Sequence, residues 1–340
     1  MNLITGAAGH LGNVLTRELL KMGKKVRALV LPGEKLTSLD GLAVEIVEGN
    51  ILDKESLKVA CEGVDNIFHM ASLVNITADG LNLMRRVNVD GTANVIEAAR
   101  QSGAKRLIYT SSIHAFGHPE KGQVIDETLP FDINNKAGQY DLTKAEASEL
   151  VLQAAREGLD AVIVCPTGVV GPYDFARSEL GGMILDWMKK KPSFTIEGRF
   201  DFVDVRDVAN GHYLAAEKGH SGEVYLLSGE QLTISQLRKL VQKAAGVHTS
   251  EVRFPAKLAK FLAPLAEAYY KLTKTRPRFT KYAVDTLQSN SVISSAKAKR
   301  ELGYNPRSLE ETITDTVRWW AVNLKKTTET LRTTSLTVQH

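Results

Sequence analysis

The stretch Thr5-Gly6-Ala7-Ala8-Gly9-His10-Leu11-Gly12 lies between the apolar pair Leu3-Ile4 and a helix whose apolar face begins with Val14 and Leu15. Glycine permits a tight turn, lets the backbone approach a pyrophosphate, and allows a helix to pack closely on a strand. The positive end of the helix then directs its N–H groups towards the phosphates. Because a strand and a helix flank the stretch, we interpret it as a dinucleotide-binding turn rather than a plain one. The expected cofactor contacts in it are Gly6, Gly9, His10, Leu11 and Gly12.

Apolar runs and amphipathic helical patterns alternate through the first half of the chain, which is typical of an α/β fold with a doubly wound parallel sheet. We predict a dinucleotide-binding (Rossmann) domain at 1–170, with its sheet completed by part of 200–228. A smaller, mainly helical substrate-binding lobe is expected at 171–324, and a disordered tail at 325–340. The predicted strands are 3–5, 26–31, 44–47, 66–69, 107–110, 161–165, 202–205 and 224–227. The predicted helices include 54–61, 83–101, 139–157 and 309–324.

Size and composition exclude several classes of protein. The chain has 340 residues, of which 43% are apolar and 24% charged, as in ordinary globular proteins. The net charge is +4, and positive and negative residues are interspersed, so the sequence shows no basic patch that would indicate nucleic-acid binding. No apolar run is long enough to span a membrane. Cys61 and Cys165 lie in apolar runs, which indicates core residues of a protein in a reducing compartment. The first strand leaves no room for a signal peptide, so we expect a cytoplasmic protein.

Tyr140 and Lys144 lie one turn apart on a predicted helix, and Ser112 follows the predicted strand that precedes this helix. A tyrosine pKa of about 10 makes the phenol a poor acid–base catalyst at neutral pH. A lysine on the same helix face favours the phenolate and lowers that pKa. The Ser112 hydroxyl could hold a substrate carbonyl against Tyr140. Alone the pair would be a surface tyrosine and a solvated lysine, but together with the glycine turn it predicts hydride chemistry.

These motifs resemble those of the extended short-chain dehydrogenases/reductases, the epimerase/dehydratase superfamily. This group holds nucleotide-sugar epimerases, dihydroflavonol reductases and 3β-hydroxysteroid dehydrogenases, and the chain is most similar to the last two kinds. The resemblance covers residues 1–323. Its further landmarks are Asn88-Val89-Asp90-Gly91-Thr92, Tyr109-Thr110-Ser111-Ser112, Pro166-Thr167-Gly168-Val169-Val170-Gly171-Pro172, Asp204-Val205-Arg206-Asp207-Val208-Ala209 and the segment 296–304.

The resemblance implies roles for individual residues. Tyr140 would be the proton donor or acceptor, Lys144 its pKa modulator and a ribose ligand, and Ser112 the substrate-orienting hydroxyl in preference to Ser111. Asn88 would be tied to the active-site backbone, or be purely structural. The family also implies a homodimer formed through two long helices on one side of the sheet. Further cofactor contacts would come from Asn50 and Ile51 beside the adenine, and from Ala71, Asn88 and Pro166.

Departures from the family pattern narrow the reaction. Dehydratases of the family place Asp-Glu after the catalytic hydroxyl residue, whereas this chain has Ile113-His114. Epimerases have an arginine that grips a diphosphate where this chain has Phe200, although Arg199 is adjacent. We therefore predict an NAD(P)-dependent oxidoreductase acting on a hydrophobic ketone, aldehyde or alcohol. A nucleotide-sugar epimerase is the alternative, followed by a non-catalytic dinucleotide sensor.

An apolar stripe at helical spacing runs through the second half of the chain. We expect it to face a core or a substrate pocket, which favours a hydrophobic substrate. Its flanking cations, Lys257, Lys260 and Lys271, leave a membrane-surface helix as the less favoured interpretation. The stripe consists of Phe254, Leu258, Phe261, Leu262, Leu265 and Tyr269.

The choice between NAD and NADP rests on the end of the second strand. A carboxylate there would bind the ribose of NAD, and an arginine would pair with the 2′-phosphate of NADP. This strand ends in Leu31-Pro32 with neither, while Lys35 in the following loop could reach a phosphate and Arg27 points along the strand. The pattern favours NADP and leaves NAD open. No metal site is predicted, and His114 and His118 are interpreted as ordinary loop or pocket residues.

Overall fold

Strands and helices alternate through the first half of the protein, as the sequence pattern predicts. The computed structural model describes residues 1–74, 81–117, 119, 122–273, 281–289 and 292–337. The strands are β1 (Asn2–Thr5), β2 (Val26–Val30), β3 (Glu45–Glu48), β4 (Asn66–His69), β5 (Arg106–Thr110), β6 (Ala161–Pro166), β7 (Gly168–Val170), β8 (Ser193–Ile196), β9 (Arg199–Asp204), β10 (Val224–Leu227), β11 (Glu230–Thr233) and β12 (Glu251–Phe254). The helices are α1 (His10–Lys21), α2 (Lys54–Cys61), α3 (Leu81–Arg85), α4 (Gly91–Ser102), α5 (Gln139–Arg156), α6 (Glu179–Trp187), α7 (Val205–Lys218), α8 (Ile234–Ala245), α9 (Ala256–Thr273), α10 (Lys281–Gln288), α11 (Ala296–Leu302) and α12 (Leu309–Thr337).

A seven-stranded parallel sheet forms the centre of the molecule, in the order β10-β6-β5-β4-β1-β2-β3. Thr5 of β1 lies opposite both Leu29 of β2 and His69 of β4. The carboxyl ends of these strands therefore meet at one edge of the sheet, which is where doubly wound folds bind their ligands. The predicted fold class is confirmed.

Both faces of this sheet are covered by helices, because consecutive residues of each strand enter different apolar cores. Leu3 and Leu107 belong to one buried cluster, and their neighbours Ile4 and Ile108 belong to the other. Burial on both faces explains why these strands are continuous apolar runs.

The predicted strand at 202–205 does not join the main sheet, which β10 alone completes from the region 200–228. The observed strand β9 pairs with β7 and β11 in a separate three-stranded sheet. Thr167, which joins β6 to β7, donates a hydrogen bond of 2.6 Å to Asp201 of β9. This buried contact attaches β9 to the segment that leaves the main sheet.

Two helices differ from the prediction. The helix predicted at 83–101 is interrupted by a π-helical turn, Arg86–Asp90, between α3 and α4. The last helix extends through Thr337, although 325–337 was expected to be disordered. Its sequence from residue 309 onwards contains no glycine or proline that would end a helix. Within the part of the chain that the structure describes, no helix combines the length and apolarity needed to cross a bilayer.

Part of the predicted apolar stripe lies on the outside of α9, whereas Phe254 of β12 and Leu262 line an apolar groove beside this helix. Phe261 is 78% exposed and Leu265 is 68% exposed, and Ala263 on the opposite face is buried. For Phe261 and Leu265 the expectation from the sequence was wrong because small alanines, not these large residues, pack inwards. The side chains of Tyr269 and Lys271 lie outside the described residues.

Candidate active site

The glycine turn after β1 is packed too closely for side chains. Gly6 has a φ of 70°, and a Cβ added to it would lie 2.8 Å from the backbone nitrogen of Ala71. A Cβ added to Gly12, inside α1, would lie 2.2 Å from the carbonyl oxygen of Gly6. The turn, the start of α1 and the segment after β4 are therefore in backbone contact. A cradle of this shape fits the pyrophosphate of a dinucleotide.

The N-terminus of α1 provides the donors for such an anion. The helix begins at His10 after Gly9, and among the described residues no side chain caps it and none in its first turn is acidic. The imidazole of His10 is hydrogen-bonded through Nε2 to the carbonyl oxygen of Pro172, at 3.0 Å. Leu11 is half-buried against the core. Backbone N–H groups, rather than these two side chains, are thus directed towards the phosphate position.

A buried hydrogen-bond chain that the sequence did not reveal fixes the ends of β1 and β4. The Thr5 hydroxyl accepts from the N–H groups of Met70 and Ala71, each at 3.2 Å, and is 2.7 Å from Nδ1 of His69. Nε2 of His69 lies 3.0 Å from the Thr92 hydroxyl. Burial lowers the pKa of His69 to about 3, so the ring is neutral. This chain holds Ala71 against the glycine turn.

The expected adenine contacts lie beyond β3. Asn50 uses its side-chain oxygen to accept from the N–H of Leu52 at 2.9 Å. Ile51 is buried, and its carbonyl oxygen accepts from the amide of Asn94 at 3.0 Å. A Cβ on Gly91 would lie 2.6 Å from Cδ1 of Ile51, so the start of α4 approaches this segment closely. These contacts hold the backbone of the segment after β3 in place. Asn50, which is half-buried, lies at the edge of the sheet where the carboxyl ends of the strands meet.

The end of β2 carries a further residue that the prediction omitted. The carboxylate of Glu34 accepts from the N–H of Leu31 at 2.9 Å, which closes the loop after the strand. Arg27 lies at the other end of this strand, where it donates to Glu45 and to the carbonyl oxygens of Ala60 and Glu62. Arg27 is therefore a structural residue of the opposite edge, and Lys35 remains in the exposed loop on the cofactor side.

Asn88 lies in the π-helical turn and is buried with every polar group of its side chain engaged. Its oxygen accepts from Leu73 N at 2.8 Å and from the Ser72 hydroxyl at 3.1 Å. Its amide donates to Leu73 O at 3.0 Å and to the Thr143 hydroxyl at 3.1 Å. Because Thr143 precedes Lys144 on α5, Asn88 ties the segment after β4 to the helix that carries the tyrosine. This geometry supports positioning of the site backbone and gives Asn88 no direct part in the chemistry.

Ser112, Tyr140 and Lys144 come together at the carboxyl end of β5. The Ser112 hydroxyl lies near that of Tyr140, where it acts to lower the tyrosine pKa, and it accepts a hydrogen bond from the N–H of His114 at 3.2 Å. The Lys144 ammonium group is buried and donates to the carbonyl oxygen of Thr110 at 2.8 Å. A carbonyl compound placed against the two hydroxyls would face a proton donor and a second hydrogen-bond donor at once.

Burial dominates the acid–base properties of this group. It raises the pKa of Tyr140 to about 12, although the Ser112 hydroxyl acts in the opposite direction. It lowers the pKa of Lys144 to about 7. The sequence led us to expect that Lys144 would lower the tyrosine pKa, whereas burial of the phenol raises it in the structure. Tyr140 is accordingly protonated at neutral pH.

The Ser111 hydroxyl takes part in a buried hydrogen-bond network, which agrees with the preference for Ser112 as the substrate-orienting residue. Its hydroxyl lies 2.6 Å from that of Ser148, which in turn donates to the carbonyl oxygen of Lys144 at 2.7 Å. Pro166 ends β6 opposite Leu227 of β10, near the same edge of the sheet.

A cluster beside Tyr140 brings together residues that the sequence analysis did not associate. The Tyr282 hydroxyl, on α10, donates to the buried carboxylate of Asp141 at 2.6 Å. Nδ1 of His114 lies 3.7 Å from the same carboxylate oxygen. The His114 ring stacks on Phe200, with centroids 5.7 Å apart, and lies 6.2 Å from the ring of Tyr140. His114 is thus a pocket residue, as interpreted, while His118 lies outside the described residues.

Asp141→Asn should change how stability depends on pH. Burial raises the pKa of Asp141 to about 6, above its unfolded value of about 3.9. The unfolded state therefore loses its proton first, and this carboxyl costs stability as the pH rises from 4 to 6. A gap of about two pKa units corresponds to about 3 kcal/mol. We expect the free energy of unfolding of Asp141→Asn, relative to wild type, to rise by roughly that amount between pH 4 and pH 7 in urea titrations.

Asp53→Asn, at the exposed start of α2, provides the contrasting variant. Hydrogen bonds from Ser56 and from the N–H of Glu55 lower the pKa of Asp53, so its carboxylate stabilises the fold above that pKa. The free energy of unfolding of Asp53→Asn, relative to wild type, should therefore fall as the pH rises, in contrast to that of Asp141→Asn. A difference for Asp141→Asn that is flat with pH would show that folding does not shift the pKa of this carboxyl.

Comparisons with known proteins are consistent with this geometry. Residues 2–228 match the model of the NAD dependent epimerase/dehydratase family. The chain is 36% identical over 324 residues to sterol demethylase protein B of Methylococcus capsulatus, covering 94% of this chain and 97% of that protein. It is 30% identical over 321 residues to the 4-hydroxy-2-methyl-3-oxo-4-farnesyl-3,4-dihydroquinoline-1-oxide ketoreductase of Stigmatella aurantiaca, covering 93% of this chain and 95% of the relative. Among solved structures, the crystal structure of gox2253 superimposes with a TM-score of 0.82 at 33% identity, covering 95% of this chain and 98% of that one.

Proposed function

This chain belongs to the NAD-dependent epimerase/dehydratase family, and on that premise we propose that it is an NAD(P)-dependent oxidoreductase that reduces a hydrophobic ketone or aldehyde, or oxidises the corresponding alcohol. The observation that carries the proposal is the convergence of Ser112, Tyr140 and the buried Lys144 at the carboxyl end of β5. The resemblance to extended short-chain dehydrogenases/reductases is confirmed by the family match.

In the proposed reaction the bound nicotinamide supplies the hydride that adds to the carbonyl carbon. Ser112 holds the carbonyl oxygen by a hydrogen bond. Tyr140 donates its phenolic proton to that oxygen, so that the product is a neutral alcohol. Lys144 lies one turn along α5 from Tyr140, where a lysine ammonium would stabilise the phenolate that remains and could bind a ribose hydroxyl.

The protonation state of Tyr140 favours reduction at neutral pH. With a pKa of about 12, the phenol carries its proton near pH 7, which is the state required to protonate the carbonyl oxygen. Oxidation requires the phenolate, so we expect its rate to increase as the pH rises above neutrality. This difference between the two directions supports a reductase.

Aromatic residues around Tyr140 support an apolar substrate. Phe200 is buried against His114 at a position where a diphosphate-binding enzyme would carry an arginine, and Tyr282 lies on the same side of the site. The relatives named above as a sterol demethylase protein and a farnesyl-dihydroquinoline ketoreductase also carry names of hydrophobic compounds.

For the cofactor we propose that NADP is preferred and that NAD is also accepted. The carboxylate of Glu34, the acidic residue closest in sequence to the end of β2, is engaged with Leu31 N and closes its own loop. Lys35 follows it in that loop and could pair with a 2′-phosphate.

The proposal is tested with a panel of apolar ketones, aldehydes and alcohols assayed separately with NADH and NADPH. We expect stoichiometric oxidation of the reduced cofactor by at least one apolar carbonyl compound, with the higher kcat/KM for NADPH. Turnover of a nucleotide sugar without net change in cofactor, together with calorimetric binding of UDP, would instead indicate an epimerase. Tight cofactor binding without turnover of any member of either class would indicate a dinucleotide sensor.

A further inference from the structure

The outer face of α9 has an arrangement opposite to that of a helix packed on a core. Its large apolar residues Phe261 and Leu265 are exposed, while the small residues Ala259, Ala263 and Ala266 lie towards the protein. A core-facing helix directs its large apolar residues inwards and its polar residues outwards. The exposed face of α9 therefore has the composition of a surface that is covered by something else.

This apolar face continues across the neighbouring strands. A groove of about 240 Å³ separates α9 from β8 and β12 and is lined almost entirely by apolar atoms. Phe194 of β8 and Val252 of β12 are also exposed, at 56% and 44%. We use the term α9 surface for the outward face of α9 together with this groove; its members are Phe194, Ile196, Val252, Phe254, Leu258, Phe261, Leu262 and Leu265.

Positive charge borders the α9 surface. Lys257 and Lys260 are exposed on α9 itself, and exposed Lys190 and Lys191 precede β8. Lys281, at the start of α10, is exposed as well. Exposed apolar residues bordered by lysine and arginine complement the apolar interior and negative headgroups of an anionic bilayer surface.

We propose that the α9 surface binds peripherally to anionic lipid bilayers, with Phe261 and Leu265 inserted among the lipids. The active site lies only one helix away. Lys260 of α9 forms an ion pair of 2.7 Å with Asp285 of α10, and Tyr282 of α10 contacts Asp141 beside Tyr140. An apolar substrate dissolved in the bilayer would thus be delivered close to the catalytic tyrosine. This second part of the proposal rests on the proposed function, whereas binding to the bilayer does not.

Vesicle co-sedimentation tests the binding without requiring turnover. The full chain is mixed with vesicles of phosphatidylcholine alone, or of phosphatidylcholine with phosphatidylglycerol. We expect wild type to bind the anionic vesicles and to be released by salt. The double variant Phe261→Ser, Leu265→Ser should bind roughly tenfold more weakly or worse, because it removes two apolar side chains of α9 that are 78% and 68% exposed. The matched control is Met22→Ser, Val59→Ser, which removes one exposed apolar residue just after α1 and another from α2 and should bind like wild type.

A second pair of variants keeps the test valid if the first one folds poorly. Lys257→Glu, Lys260→Glu leaves the apolar residues in place and should abolish the preference for anionic vesicles. Equal sedimentation of wild type and both α9 variants would overturn the proposal. Self-association of wild type that the Phe261→Ser, Leu265→Ser variant abolishes, in the absence of vesicle binding, would assign the surface to a second copy of the chain instead.

Steady-state kinetics distinguish delivery of a substrate from the bilayer from binding of the protein to vesicles. The Phe261→Ser, Leu265→Ser variant should show a raised KM for a carbonyl compound presented in vesicles and an unchanged KM for a water-soluble one. Vesicle binding without turnover of any carbonyl compound would contradict the proposed function but support the α9 surface as a membrane-binding site. Turnover without vesicle binding would support the proposed function and contradict membrane binding by the α9 surface.

Discussion

Tyr140→Phe is expected to lower kcat for carbonyl reduction by about 10³-fold, within the range for loss of a general acid. The phenylalanine keeps the ring and its packing but removes the hydroxyl that lies near Ser112. Without that hydroxyl, no group at this position can protonate the carbonyl oxygen as hydride adds to the carbon. Steady-state assays with the best carbonyl substrate from the panel measure the loss.

Cofactor binding should survive this change, because the proposed pyrophosphate contacts lie at the glycine turn and on α1. Titration of NADPH fluorescence should therefore give dissociation constants for the variant and wild type that agree closely. Tyr213→Phe, which removes a tyrosine hydroxyl from α7 beside Lys24, is the matched control and should retain full activity. If Tyr140→Phe turned over substrate at the wild-type rate, the acid–base assignment would be wrong.

The pH dependence of wild type provides a second check on the same group. Because the pKa of Tyr140 is about 12, the rate of reduction should not fall through titration of the phenol between pH 6 and pH 9. Lys144, with a pKa of about 7, titrates inside that range, so its effect on cofactor affinity should appear there. A split in which kcat stays flat while KM for the cofactor changes with pH would match the roles proposed for the two residues.

The sequence predicted the sheet, and the position of Tyr140 and Lys144 on one helix, because both depend on local spacing. Runs such as Leu107 to Thr110 are buried on both faces and therefore stay apolar along their length, and Tyr140 and Lys144 share a helix face at any helical register. Contacts between distant segments were not predictable in this way. Tyr282 lies 141 residues from Asp141, and no pattern near either residue indicates their hydrogen bond.

The orientation of α9 shows a second reason for failure. Periodicity identifies two faces of a helix but does not say which one packs on the protein. Here Ala259, Ala263 and Ala266 repeat at the same helical spacing as Phe261 and Leu265, and small residues allow the closer approach. Assigning the larger residues to the interior is a reasonable rule for a protein in water alone. It fails where a helix face meets another apolar phase, which is the situation we propose for α9.

Gly12→Ala is expected to destabilise the protein by about 3 kcal/mol or more, the upper range for inserting a methyl group into a packed site. Alanine normally stabilises a helix relative to glycine, so helix propensity alone predicts the opposite sign. Packing decides the outcome, because the new Cβ would lie 2.2 Å from Gly6 O and 2.8 Å from Ala7 Cα. Both are backbone atoms of the turn and cannot move away as a flexible side chain would. Urea unfolding monitored by circular dichroism measures the change.

Gly182→Ala isolates this effect, because Gly182 also lies inside a helix, α6, and a Cβ added there meets no atom within 4 Å. That variant should be as stable as wild type or up to about 1 kcal/mol more stable. Any fraction of Gly12→Ala that folds must displace the carbonyl of Gly6 or shift α1 away from β1. Either movement changes the cradle for the pyrophosphate, so NADPH affinity should fall for Gly12→Ala and stay constant for Gly182→Ala. Equal stability and equal NADPH affinity in the two variants would mean that α1 can move off the turn, and that close packing at Gly12 is not what the cofactor site requires.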